Sequence, residues 1–449
     1  MLHVFFKPHR SHLAAATKAP QKIFALLKVI PQVATIPARA ACAFIFVLDA
    51  SGSMNDRLDS TRSGSSKLQS AVEAARSLLD DESLRAQDKV SIIAFSDTAR
   101  VLLPLSVLGD GARARAALDT LTRSSGGTQL GEGLRAAWEE LMRQNDAHAA
   151  NRVLVLTDGE TADEALCREM APQFGSQNIP IVAVGVGQSY NENLLGDLSE
   201  ATQGRPYHLN ETDELREVLQ GEARLSSREI VTNVQLEVRA VKGVRLESAT
   251  RVYPSLSDVA LSSTRPLRLG NIASGDYSVF VLEFAVEGLS RPAGRARLAQ
   301  LLLSGQTASD VERQSMAPQE LFVSFTQDAS ATTQVDAEVL GYVQQKNADR
   351  LVRDAMVQAK RDAKTATRSL HQALEITRRL GNAPMTKMLQ DAVDELQQTG
   401  TLSSNRRKTV SLGGRTRTVA VTLAQTPQSG QSIHNIPDEA EIRRLTGTE

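Results

Sequence analysis

The stretch Phe44–Met54 reads FIFVLDASGSM and joins an unbroken apolar run, Phe44 to Leu48, to a turn carrying Asp49, Ser51, Gly52 and Ser53. An apolar run without polar alternation predicts a strand buried on both faces, hence a central position in a parallel sheet. In open α/β sheets the ligand crevice lies beyond the carboxyl ends of such strands. Asp49, Ser51 and Ser53 there offer three side-chain oxygens at alternate positions, half of a cage for a hard cation. Taken alone, Asp-x-Ser-x-Ser is equally the chemistry of an ordinary turn. The remainder of the chain has to decide.

Working outward, residues 43–225 alternate strand and helix patterns. Apolar positions at helical spacing run through Ser66–Leu79, then the strand-like KVSIIAF at Lys89–Phe95 and Val101–Leu105 follow. Helices are predicted at Ala112–Leu121, Leu130–Met142, Ala162–Phe174, Leu194–Ala201 and Glu211–Leu219. Strands are predicted at Val153–Leu156, Ile181–Val186 and Tyr207–Leu209. This alternation implies an α/β fold, a doubly wound parallel sheet of Rossmann-like type.

From 226 to 330 the pattern changes to short β-branched or aromatic runs punctuated by Gly and Pro, such as VTNVQLEV and SVFVLEFA, the signature of an antiparallel β-sandwich. Strand-like runs within residues 1–42, at 3–6 and 22–30, are expected to complete that sandwich, with Pro31 and Pro37 separating them from the central strand. Residues 331–400 carry helical apolar stripes and form the expected C-terminal α-helical domain. The segment 401–449, rich in Ser, Thr, Arg, Gly and Gln, reads as a flexible tail.

Two further pieces bear on the Asp49 turn. Thr128 follows Gly126-Gly127 in SSGGTQL, and Asp158 stands in LTDGE after the Val153–Leu156 strand. Together, DASGS, Gly-Gly-Thr128 and Thr-Asp158-Gly make residues 43–225 resemble the von Willebrand factor type A family with a complete metal-ion-dependent adhesion site, as in bacterial multidomain members. The resemblance implies a metal set of Asp49, Ser51, Ser53, Thr128 and Asp158. In it the hydroxyls bind directly and the carboxylates often act through water. The ion implied is Mg²⁺, with Mn²⁺ or Ca²⁺ as alternatives, and it would accept a carboxylate from a protein partner. Gly52, Gly126, Gly127 and Gly159 are expected to serve tight turns and close approach to the ion. The loop at 55–66 borders the site and reads as a surface insertion.

Enzymatic alternatives find no support. There is no HExxH or CxxC, Gly185-x-Gly187 lacks its third glycine, and no G-x-S-x-G occurs. His148 and His208 read as surface or packing residues. A net charge of -1 and 4% aromatics exclude nucleic acid as the default partner. Two cysteines read as reduced thiols, no apolar run is long enough for a membrane span, and the start of the chain does not read as a signal peptide; cytoplasm is the expected location. The expected function is a non-enzymatic, Mg²⁺-dependent interaction module. The alternatives are an accessory subunit of a AAA+ ATPase or metal chelatase, and a secreted adhesin. In the tail, Thr409, Ser411, Thr416 and Thr418 lie among Arg406, Arg407, Lys408, Arg415 and Arg417. Thr409, Thr416 and Thr418 are candidate phospho-acceptors for a Ser/Thr kinase, with a forkhead-associated domain as reader. That reading adds a scaffold role in bacterial kinase signalling.

Overall fold

The computed structural model describes residues 2–15, 17, 19–32, 42–57, 65–121, 126–144, 150–209, 212–288, 291–307, 310–359 and 361–421. Pro37, His148, most of the 55–66 loop and the chain beyond 421 lie outside these residues.

The chain starts with β1 (Leu2–Pro8), β2 (His12–Ala14) and β3 (Gln21–Pro31), then enters the α/β unit at β4 (Cys42–Asp49). Every residue of β4 is buried, as its unbroken apolar run requires. There follow α1 (Lys67–Leu79), β5 (Lys89–Phe95), β6 (Ala99–Val107), α2 (Ala112–Asp119), α3 (Leu130–Gln144), β7 (Ala150–Thr157), α4 (Glu164–Ser176), β8 (Ile181–Val186), α5 (Glu192–Ala201), β9 (Pro206–Leu209) and α6 (Thr212–Ser227). The sheet order is β6-β5-β4-β7-β8-β9. One face packs on α1, α2 and α6, the other on α3, α4 and α5. The sheet is mixed rather than wholly parallel, because β6 runs antiparallel to β5. The reason is length: only Ser96–Thr98 joins the two strands, enough for a hairpin closed by Ser96 N to Thr98 O and too short for a crossover. From β4 the chain fills one side of the sheet, then crosses to β7 and fills the other. The crevice between the ends of β4 and β7 is thus the topological switch point.

Next come β10 (Glu229–Ala240), β11 (Val244–Tyr253), β12 (Ser257–Asp258), β13 (Leu267–Ala273), β14 (Ser278–Val286), β15 (Gly294–Thr307), β16 (Asp310–Ser315) and β17 (Gln319–Thr326). One sheet has the order β1-β3-β14-β11-β12, the other β13-β10-β15-β17-β2 with β16 beside β15. Strand β3 pairs with β14 from Gln21–Val286 to Val29–Ser278, and β2 lies parallel to β17. The two sheets close over a core that includes Ile23, Leu27, Leu236, Phe280, Phe284, Leu301 and Phe325.

The helical part comprises α7 (Ala329–Thr332), α8 (Ala337–Gln358), α9 (Ala363–Arg379), α10 (Ala383–Thr399) and α11 (Ser404–Thr416). Helix α8 lays Val339, Tyr342 and Val343 on Phe24, Leu26 and Val281 of the sandwich. Helix α11 corrects the expected tail. Ser403 caps it by accepting from Arg406 N, and Leu412 enters the core of the α/β unit beside Leu194 and Leu198. Arg407 pairs with Glu192 at 2.7 Å and Arg415 with Glu200 at 3.0 Å. The ammonium of Lys408 sits 3.7 Å above the Tyr190 ring and reaches the Tyr190 carbonyl. With two apolar anchors, Val410 and Leu412, the segment has too weak a pattern to announce a helix.

Candidate metal centre

Asp49 ends β4 with its side chain fully buried. Its Oδ1 accepts the Ser51 amide at 2.8 Å, and its Oδ2 accepts the Thr157 hydroxyl at 2.7 Å from the end of β7. Burial raises the pKa of this carboxyl, hydrogen bonds from Ser51 and Thr157 oppose that, and the charge of Asp158 adds to the rise. Past Ser51 the chain makes a 3₁₀ turn over Gly52–Asn55, anchored by the buried Met54. That turn aims two hydroxyls across the switch point. Ser51 Oγ and Ser53 Oγ stand 3.2 Å apart, and Ser53 Oγ donates to Asp158 Oδ1 at 2.6 Å.

Thr128 arrives from a third direction. Its carbonyl accepts Ala162 N at 2.9 Å, and the α3 amides of Gly131 and Glu132 both donate to the Asp163 carboxylate at 3.0 Å. The loops after β5 and β7 therefore hold it in place. A Cβ built on Gly159 would lie 3.6 Å from Thr128 Oγ1 and 3.8 Å from Ser53 Oγ, so both hydroxyls face this glycine. All five residues singled out in the sequence converge on one crevice. The carboxylates of Asp49 and Asp158 are buried at its base, and Ser53 and Thr128 are half-exposed at its rim.

The glycines divide differently from expectation. None of Gly52, Gly126, Gly127 and Gly159 has positive φ, so none is required for a left-handed turn. A Cβ on Gly126 would meet Asp97 Oδ2 at 2.1 Å, the tip of an exposed side chain that can swing away. Asp97 also accepts Gly127 N at 2.6 Å, while Gly126 O accepts Gly52 N at 3.3 Å.

Sequence reasoning missed Lys67. Its Nζ is 2.6 Å from Asp158 Oδ2, in a pair whose side chains are 13% and 0% exposed. The residue opens α1, where the helix dipole disfavours a cation and where no acidic residue stands in the first turn. The capping box formed by Ser66 and Gln69 was legible as S-x-x-Q. A lysine directly inside that box was the available signal, since something across the crevice has to compensate it.

The donors are all oxygens, two carboxylates and three hydroxyls, and no group of three or more His, Cys, Asp or Glu side chains is placed for a metal among the described residues. Such a set suits a hard cation that keeps part of its water, as Mg²⁺ does, rather than a thiolate- or imidazole-seeking one. Cys42 and Cys167 are buried free thiols in the core. His208 is a packing residue, bonded to the Tyr190 hydroxyl and to Asn405. Two of the candidate phospho-acceptors, Thr409 and Thr416, lie in a helix rather than an extended segment. Thr409 and Thr416 donate within α11, to Asn405 O and Gly413 O, and Thr418 donates to Pro254 O.

Comparisons with known proteins agree with this fold. The family model of the von Willebrand factor type A domain matches residues 44–221, and that of the Sll0103-like, C-terminal alpha-helical domain matches residues 337–420. The protein sll0103 of Synechocystis is 23% identical over 251 residues, 54% of this chain and 57% of that protein. YfbK of Escherichia coli is 26% identical over 205 residues, 44% of this chain and 33% of that protein. The chain thus spans about half, and about a third, of the length of these two relatives. The solved von Willebrand factor type A protein of Catenulispora acidiphila superposes with a TM-score of 0.78 at 18% identity, covering 93% of this chain and 97% of that one. The ArnB paralog VWA2 of Sulfolobus acidocaldarius gives 0.61 at 15%, covering 93% and 99%. At these identities the two structures establish the fold alone.

Proposed function

We propose that this chain, whose residues 44–221 form a von Willebrand factor type A domain, is a non-enzymatic module that binds a protein partner through a divalent cation, Mg²⁺ first. Asp49, Ser51, Ser53, Thr128 and Asp158 would hold the ion. Domains of this type are in general protein-interaction modules, which supports the class of function. One observation carries the metal reading: hydroxyls from two separate loops and two buried carboxylates meet at the switch point with no basic partner other than Lys67 among the described residues. Two carboxylates so close repel each other, and a cation offsets that repulsion.

Bound there, the ion would supply an electrophilic position for a carboxylate of the partner. The chain's own contribution is orientation. Thr157 and the Ser51 amide fix Asp49, Lys67 fixes one oxygen of Asp158, and the Gly127 amide ties the Thr128 loop to Asp97. With its hydroxyl half-exposed, Ser53 lies where an approaching carboxylate has access. Thr409 and Thr416 lie within α11 rather than in an extended segment, which weighs against them as phospho-acceptors, while Thr418 follows the helix.

Calorimetric titration of the metal-free chain with Mg²⁺ tests this. One site per chain is expected for the wild type, and Asp158→Asn should weaken it at least tenfold. Affinity capture in Mg²⁺, with elution by EDTA, then identifies the partner. Absence of Mg²⁺ binding by a folded wild type, or unchanged binding by Asp158→Asn, would reject the reading.

A further inference from the structure

At the other end of the α/β sheet, where it meets the sandwich, lies a cavity of about 50 Å³. Gln203 and Arg205 line it from the α/β unit, and Arg251 of β11 lines it from the sandwich. Arg251 is only 7% exposed. A guanidinium has five N–H donors and is always cationic, so a buried one ordinarily meets a carboxylate. Here, among the described residues, its partners are two long carbonyl contacts. Nε reaches Ser255 O at 3.4 Å and Nη2 reaches Gln203 O at 3.3 Å.

The surrounding charges do not make up the deficit. Glu222 and Glu229 are engaged by Arg152, with Arg205 3.4 Å from Glu222 and Asn271 2.6 Å from Glu229. Three guanidiniums therefore face two carboxylates. Asp276, also on the lining, is half-exposed and accepts the Tyr277 amide at Oδ1. Burial and the neighbouring Arg205 push the Arg251 pKa down to about 9, which is how an under-compensated cation behaves.

We propose that this cavity binds a small tetrahedral oxyanion, inorganic phosphate or sulfate, held between Arg251 and Arg205. The volume is several times the roughly 10–15 Å³ one water needs, and suits four oxygens better than a single chloride. Planar guanidiniums are well matched to such oxygens. With one arginine from each side, the anion ties the α/β unit to the sandwich.

The test uses the full chain in EDTA, at constant ionic strength set with sodium gluconate, with phosphate, sulfate or chloride as the varied anion. For the wild type, Tm should rise with the logarithm of phosphate or sulfate concentration, and calorimetry should show one phosphate per chain. Arg251→Met should lose the Tm response and bind phosphate at least tenfold more weakly. Should that variant fail to fold, Arg205→Gln, at a half-exposed position, should give the same loss. A wild-type Tm that responds to phosphate no more than to gluconate would overturn the proposal and leave only water in the cavity. An unaltered phosphate response in both variants would do the same, and a response to chloride alone would reject the oxyanion.

Discussion

Strand β7 carries a buried charge at each end, and the two ends are handled in opposite ways. Near its start, Arg152 lies between Glu222 and Glu229, all three less than a tenth exposed and in direct ion-pair contact. Just beyond its end, Asp158 faces a second buried carboxylate, two serine hydroxyls and a single lysine. The first arrangement is closed. Tyr207 and Asn271 take the remaining acceptor positions of the two glutamates, so the trio is a joint between helix α6, the sheet and the sandwich. The second is open, with hydroxyls whose lone pairs face a crevice. Buried charges in direct contact with opposite charges hold a fold together, whereas two carboxylates that share a single cation at a strand end invite a ligand.

The largest effect expected from this contrast is at the closed end. Arg152→Met would leave Glu229 buried without its cation and Glu222 with Arg205 alone, at 3.4 Å. Urea unfolding should show a loss of about 3–5 kcal/mol. Mg²⁺ affinity of the fraction that still folds should be unchanged. A loss below about 1 kcal/mol would make the joint ornamental and remove the contrast.

Lys67→Met probes the open end. Without Mg²⁺ it removes the ammonium from Asp158, at a cost of roughly 2 kcal/mol, the scale of a hydrogen bond to a charged group. Saturating Mg²⁺ should restore most of that, and calorimetry should find Mg²⁺ bound several-fold more tightly, because a like charge has left. Equal destabilisation with and without Mg²⁺ would show that Lys67 is a structural partner like Arg152, and the two ends would then differ only in geometry.

The smallest effect separates both ends from a third buried titrating group. His9 is 2% exposed and accepts the Phe24 amide at Nδ1. Burial and the adjacent Arg10 push its pKa from 6.5 down to about 3. A base with a depressed folded pKa is neutral when folded, so the unfolded chain takes up the proton first. Stability is therefore lost as pH falls below 6.5, by about 1.4 kcal/mol per pH unit. Glu229, raised by burial against the pull of Arg152, changes stability in the opposite sense. The comparison is accordingly wild type against His9→Gln, and between pH 6.5 and 5 the variant should lose about 1.6 kcal/mol less. Parallel profiles would place the acid sensitivity elsewhere.

Much was legible from residue order. The apolar run into Asp49, the turn hydroxyls and Thr-Asp158-Gly each occupy a strand end, because strands buried on both faces stay apolar until they leave the sheet, while Gly-Gly-Thr128 lies in the loop that leads into α3. The antiparallel β6 was not legible as such, since its direction depends on the three-residue connection and not on its own pattern. Nor was the burial of Asp49 and Asp158, since a position at a strand end does not say what packs over the carboxylate. Helix α11 was missed because its docking relies on ion pairs to Glu192 and Glu200, more than 200 positions away in the chain, and on a lysine over an aromatic ring.

What the sequence determined by itself was therefore the local: which segments are strand or helix, and which oxygens stand at strand ends, since both follow from spacing of two or three to four residues. Tertiary structure alone decided the electrostatics. Lys67 is 91 positions from Asp158, Arg152 is 70 from Glu222, and Arg251 is 48 from Gln203. Whether a buried charge ends up satisfied, shared or short of partners depends on what the folded chain brings within a few ångströms of it, and Coulomb interactions in a low-dielectric interior are set by that distance and not by separation along the chain.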